Sequence, residues 1–121
     1  MTARDESYME RAMKLAALGI GSTSPNPMVG AIVVSPLGTT VGTGFHQRAG
    51  GDHAEIRALD EAGKLALGST IYCTLEPCCH RGRTGPCAPR IVESGVERVV
   101  VAMLDPNPRV NGKGVSYLRH H

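Results

Sequence analysis

Two short segments carry the residue types of a metal-assisted hydrolase: His53-Ala54-Glu55, and Pro77-Cys78 with Cys87 further along the chain. Zinc takes imidazole nitrogen and thiolate sulfur at about 2.0 to 2.3 Å, and a catalytic site keeps three protein ligands so that water fills the fourth position. One histidine and two cysteines meet that count, which makes His53, Cys78 and Cys87 the candidate ligands of a Zn2+ cofactor. Two thiolates balance a divalent ion, and the partial positive charge at a helix N-terminus favours the thiolate form. Glu55 shares a helical turn with His53 but points in another direction, so it can reach an attacking water without joining the ligands. The chemistry expected of it is proton transfer from that water to the ring nitrogen beside the attacked carbon, followed by help in the loss of ammonia.

Each of these residues also has an ordinary reading. A histidine at a helix start is more often a cap or a surface residue than a ligand, and it is Glu55 and the distal cysteines that tip His53 toward the metal. Four cysteines, Cys73, Cys78, Cys79 and Cys87, crowd into one short stretch. With no secretory signal, such a cluster reads as metal binding rather than as a disulfide framework. Cys79 is too near Cys78 to complete a tetrahedral site comfortably, and reads equally as an inert neighbour or as a thiol just outside the ligands. Cys73 lies in an apolar run and reads as a small buried hydrophobe. Asn26, between two prolines, suits either a turn or a stiffly held side chain that reads a base edge. Asp105-Pro106-Asn107-Pro108 is either a strand-ending turn or a ligand loop beyond the carboxyl end of a strand. His46 by itself is open between the two roles.

The elements that must position these groups follow from periodicity. Residues 5–18 place Tyr8, Met9, Ala12, Met13, Leu15 and Ala16 at helical spacing, with Gly19 and Gly21 as a stop. Ser24-Pro25-Asn26-Pro27 cannot continue a helix and is expected to be a loop of fixed shape. Residues 29–34 and 40–45, joined by Pro36-Leu37-Gly38-Thr39, predict a hairpin. Asp52 is a plausible N-cap for a helix over 53–62, with Ala54, Ile56, Leu59 and Ala62 for packing and with His53 and Glu55 on its first turn. Residues 69–75 predict a strand, 76–86 a loop, 87–94 a short helix stopped by Gly95, and 97–104 another buried strand. Strands separated by single helices favour parallel neighbours, while the hairpin adds an antiparallel edge. The expected fold class is therefore α/β, a three-layer α/β/α arrangement with a mixed central sheet.

Length and composition bound the rest. With 121 residues, 41% of them apolar, the chain suits one domain with a modest core, expected to span residues 1–121. Tryptophan is absent and phenylalanine occurs once, so the core must come from Val, Ile, Leu, Ala and Met. A net charge of +2 without a dense basic run gives no reason to expect nucleic acid or a membrane as partner. Apolar runs such as 99–104 are far too short to span a bilayer, and the expectation is a soluble, cytoplasmic protein. Residues 114–121 read as the beginning of a helix, so the C-terminus is expected to be cut short. Its last two histidines are either native or the remnant of a purification tag.

A histidine and glutamate one residue apart, followed by Pro-Cys-x-x-Cys, is the signature of zinc deaminases, and here the second half departs from it. Eight residues lie between Cys78 and Cys87. The stretch Thr74-Leu75-Glu76-Pro77-Cys78-Cys79-His80-Arg81-Gly82-Arg83-Thr84-Gly85-Pro86-Cys87 resembles the zinc loop of the bacterial riboflavin-biosynthesis deaminases, whose cysteines have the longer spacing. The resemblance extends over nearly the whole chain through Asn26-Pro27-x-Val29-Gly30, Gly44-x-His46, His53-Ala54-Glu55 and Asp105-Pro106-Asn107-Pro108. It implies a cytidine-deaminase-like fold and the hydrolytic deamination of the diaminopyrimidinone ribosylamine 5′-phosphate to the corresponding aminouracil. It implies zinc ligands at His53, Cys78 and Cys87, a proton carrier at Glu55, and contacts to a small phosphorylated pyrimidine at Asn26, His46, Arg83, Asp105 and Asn107. Serine is usual in that family at position 79, so Cys79 alters a neighbour of the site. The position of Arg83 is lysine or arginine there, either of which suits a phosphate or a ring carbonyl. Many members carry an NADPH-dependent reductase domain after the deaminase, which is expected to be absent here, and assembly as a homo-oligomer is expected.

Two rivals stand beside this expectation. One is a deaminase of the same fold acting on guanine, cytidine or an adenosine in transfer RNA, which would call for the shorter cysteine spacing and, for RNA, a basic surface. The other is a structural zinc module closed by four ligands such as His53, Cys78, Cys79 and Cys87.

Overall fold

The computed structural model describes residues 2–18, 29–46, 53–78, 87–104 and 112–121. Helix α1 (Ala3–Ala17) opens on a capping box in which the Thr2 hydroxyl accepts from the Asp5 N–H and the Asp5 carboxylate accepts from the Thr2 N–H. This satisfies two backbone donors that the first turn leaves without helical partners. The helix lays Met9, Ala12 and Ala16 inward at intervals of three and four, while Met13 is exposed.

Four strands form one sheet: β1 (Gly30–Val34), β2 (Thr40–Phe45), β3 (Thr70–Cys73) and β4 (Arg98–Val101), in the spatial order β2-β1-β3-β4. β1 runs antiparallel to both β2 and β3, and β3 runs parallel to β4. The sheet is mixed, as expected, but the hairpin does more than decorate an edge. Its first strand, β1, occupies the middle of the sheet, where all five residues are buried. The turn closes through Gly38 at φ +85, with the Ser35 N–H donating to Thr39 O at 2.8 Å.

Side chains on successive strand positions face opposite sides, and the core divides accordingly. Ile32, Val34 and Tyr72 pack with Met9 and Ala12 of α1. Ala31, Val33, Ile71 and Cys73 pack on the other face with Ala54, Ala58, Leu59 and Ala62 of α2 (Ala54–Ala62) and with Ile91 of α3 (Cys87–Ser94). Each fully buried isoleucine removes enough apolar area to stabilise the fold by about 1.5–3 kcal/mol. The outcome is the three-layer α/β/α arrangement. A 3₁₀ turn (Gly63–Ala66) that periodicity had not marked joins α2 to β3.

Three expectations need correction. His53, not Asp52, is the N-cap of α2, with extended backbone at φ −70 and ψ 160, and Asp52 lies outside the described residues. His53 therefore precedes the first turn instead of sitting on it. Second, β4 is not a buried strand: Arg98 is exposed and the other three residues are half-buried. Among the described residues it lies at the edge of the sheet, where Val99 and Val101 face a groove of about 690 Å³ bordered by α3 and by helix α4 (Lys113–His120), while Val100 packs on the opposite face. Third, Ile56 is only half-buried, and Ala58 takes its expected place against the sheet. The loop at 24–27 lies outside the described residues. No helix among the described residues is long and apolar enough to cross a membrane.

Candidate metal and catalytic site

The carboxyl end of β3 meets the start of two helices on the same face of the sheet. Beyond Cys73 the chain stays tied to the sheet: the Thr74 N–H donates to Gly30 O at 3.1 Å, and the Gly30 N–H donates to Thr74 Oγ1 at 3.0 Å. The Glu76 N–H donates to Met103 O at 2.9 Å. This carries Cys78 to the start of α3, where the Ala88 N–H donates to Cys78 O at 2.8 Å and the Cys87 N–H reaches Cys78 Sγ at 3.4 Å. α2 reaches the same place because Gly42 and Gly44 of β2 bear no Cβ. A methyl at either position would collide with the backbone carbonyl of Ala58 or Ala54, respectively.

His53 Nδ1 lies 3.0 Å from Cys87 Sγ and 3.9 Å from Cys78 Sγ, and the three donor atoms all fall within 4.8 Å of one another. Tetrahedral zinc with ligands at about 2.0 to 2.3 Å spaces its donors by about 3.3 to 3.8 Å. The donor set fits zinc, with Nδ1 as the histidine donor, and its two nitrogen-to-sulfur distances bracket that spacing. Cys87 is fully buried and leads α3. The Cys78 thiol is pulled well below the ordinary cysteine value, first by its hydrogen bond with Cys87. The same bond, with burial, pushes Cys87 up. Two buried thiols this close disfavour a second thiolate, and a divalent ion is what lets both ionise.

Glu55 is 3% exposed. Burial pushes its carboxyl above the ordinary glutamate value, opposed by a hydrogen bond with Cys87 and by the nearby His53. A buried carboxyl in contact with one member of the donor trio can exchange a proton with whatever occupies the open side of the trio. His46 is also brought in: it is 3% exposed, its ring stands edge-on to that of His53 with centroids 5.3 Å apart, and its backbone N–H donates to Val29 O at 3.0 Å. Cys73 is fully buried in the core, as expected of a small hydrophobe, and burial raises its thiol. Asn26, Cys79, Arg83, Asp105 and Asn107 lie outside the described residues. Glu76, buried two residues before Cys78, carried no role in the sequence reading. The only available signal was a charged side chain inside an otherwise apolar and cysteine-bearing stretch.

Residues 2–103 match the family model of the cytidine and deoxycytidylate deaminase zinc-binding region. The chain is 55% identical over 116 residues to the riboflavin biosynthesis protein RibD of Aquifex aeolicus, covering 96% of this chain and 32% of that protein. It is 53% identical over 116 residues to the diaminohydroxyphosphoribosylamino-pyrimidine deaminase of Buchnera aphidicola subsp. Schizaphis graminum, covering 96% of this chain and 78% of the relative. Among solved structures, RibD of Acinetobacter baumannii superposes with a TM-score of 0.94 at 50% identity, covering 97% of this chain and 33% of the other. The chain thus spans about a third of the length of its RibD relatives and most of the Buchnera deaminase.

Proposed function

The chain belongs to the cytidine and deoxycytidylate deaminase zinc-binding family, and we propose that it hydrolyses the exocyclic amine of 2,5-diamino-6-ribosylamino-4(3H)-pyrimidinone 5′-phosphate, yielding 5-amino-6-(5-phosphoribosylamino)uracil and ammonia. The observation that carries this reading is the buried carboxyl of Glu55 against a His53, Cys78 and Cys87 donor trio. Among the described residues three donors stand together with a proton-carrying group beside them, which suits a catalytic metal; a structural zinc would be closed by a fourth ligand. The choice of substrate is supported by the long Cys78 to Cys87 spacing and by 53% identity to a relative named for this deamination.

His53, Cys78 and Cys87 hold the zinc, which when bound supplies the Lewis acidity that makes water nucleophilic near neutral pH. Glu55 accepts a proton from the attacking water and delivers it to the ring nitrogen beside the amine-bearing carbon. It then carries the water's second proton to the amine, so that the C–N bond breaks and ammonia leaves while the carbon keeps the oxygen as a carbonyl. The raised carboxyl suits a group that must both take and give protons. His46, packed on His53, borders the substrate side, and Asn26, Arg83, Asp105 and Asn107 are the remaining substrate contacts in this reading.

The test is ammonia release from the diaminopyrimidinone substrate, with cytidine, deoxycytidylate and guanine as comparisons. Turnover of the first is expected. Glu55→Gln should keep its zinc and lose about 10²–10⁴-fold in rate. Turnover of cytidine or deoxycytidylate in preference to the diaminopyrimidinone would overturn the substrate, and comparable turnover by Glu55→Gln would overturn the role of that carboxyl.

A further inference from the structure

Glu76 precedes Cys78 by two residues, is 3% exposed, and spends its carboxylate on another part of the chain. Oε1 accepts from the Gly112 N–H and Oε2 from the Val115 N–H, each at 2.9 Å. Gly112 is the N-cap of α4 and has no side chain with which to cap it. The first N–H groups of a helix have no helical acceptors, and a carboxylate suits the positive end of the helix dipole. Glu76 thus supplies from a distance the cap that Gly112 cannot.

The cap brings α4 into contact with the metal loop. Gly114, in the first turn of α4, is buried so closely that a Cβ there would collide with the Pro77 carbonyl oxygen. That carbonyl belongs to the peptide leading into Cys78. The same segment is held to the sheet through the Glu76 N–H and to α3 through Cys78 O. Three elements therefore close on Pro77-Cys78, and the Glu76 carboxylate ties α4 to it.

We infer that Glu76 is a positioning residue for the metal: by clamping α4 onto the Pro77 carbonyl it holds Cys78 Sγ where zinc requires it. The inference rests on Cys78 being a zinc ligand. Partners that orient metal ligands are typically worth about 10–100-fold in metal affinity. Glutamine is a severe substitution here, since its amide nitrogen would face a backbone N–H where an oxygen now accepts.

The experiment measures zinc release from the intact chain into an excess of chromophoric chelator. It compares the unmodified chain with Glu76→Gln, Gly114→Ala and Asp5→Asn. Glu76→Gln and Gly114→Ala should release zinc about 10–100-fold faster, and cobalt(II) in place of zinc should show a shifted thiolate-to-metal band in both. Asp5→Asn, which loosens the opposite face of the sheet, should lower thermal stability yet release zinc at the unmodified rate. Release from Glu76→Gln no faster than from Asp5→Asn overturns the inference. Should Glu76→Gln not fold, Gly114→Ala decides by the same comparison. Full zinc retention by Cys78→Ser would instead overturn the ligand assignment beneath it, so the two failures are told apart.

Discussion

At the scale of single residues, the site depends on atoms that differ little in chemistry but greatly in placement. Cys78 and Cys87 are both ligand candidates by type, and their sulfurs stand 3.9 and 3.0 Å from His53 Nδ1. Cys73 is a cysteine of the same stretch, but it is sealed in the core on β3 with no place in the trio. Cys87→Ser should therefore cost the metal, read as zinc per chain by elemental analysis. Stoichiometric zinc in that variant would move the third ligand to Cys79. Residue types were enough to nominate His53, Glu55, Cys78 and Cys87, because few side chains can bind zinc or carry a proton beside it. They could not nominate Glu76, which accepts from N–H groups 36 and 39 residues away, backbone groups that any residue could supply.

At the scale of elements, the starts of α2 and α3 deliver the ligands, and α2 is placed by what β2 lacks. A Cβ on Gly44 would collide with Ala54 O and come within 2.9 Å of Ala58 N, neither of which can yield without moving the helix. Gly44→Ala should cost about 1–3 kcal/mol by overpacking, read as a lower denaturant midpoint. It should also lower ammonia release in the fraction that remains folded, since His53 and Glu55 move with α2. An unchanged rate in folded Gly44→Ala would show that the site does not depend on this contact. Helical periodicity made α1 and α2 legible, and β-branched runs did so for β1 and β4. Less legible was the end of each element: β4 stops at Val101, three residues short of the expected 104, and the N-cap of α2 falls on His53, which makes no side-chain cap. The Glu76 N–H to Met103 O bond ties the chain together beyond both strand ends, a long-range contact that carries no local pattern.

At the scale of the whole molecule, one ion pair joins the beginning of the chain to the edge of the sheet. The Arg98 guanidinium donates to both carboxylate oxygens of Asp5 at 2.8 and 2.6 Å, and the Tyr72 hydroxyl donates to Asp5 Oδ1 at 2.7 Å. These contacts, Arg98 foremost and Tyr72 next, hold the Asp5 carboxyl far below its ordinary value of 3.8. A carboxyl depressed in the folded state adds stability above its unfolded value and loses it as pH falls toward the folded one. The gap in melting temperature between the unmodified chain and Asp5→Asn should thus be constant from about pH 7 to 5 and close below about pH 4. A gap that persists undiminished at about pH 2 would show that the contribution of Asp5 is not ionic.

By itself the sequence determined the chemistry and the kinds of element: a His, Glu and two Cys residues of metal-site type, an opening helix, a hairpin, and alternating strands and helices. Those features are local, since residue type and apolar period act over one or a few turns of chain. Tertiary structure alone decided that β1 lies between β2 and β3, that Nδ1 of His53 faces the sulfurs, and that Glu76 caps α4 beside the Cys78 ligand. Each of these depends on backbone groups brought together from distant parts of the chain. Hydrogen bonds spanning 36 to 93 residues, such as Gly112 to Glu76 and Arg98 to Asp5, leave no pattern among neighbouring residues.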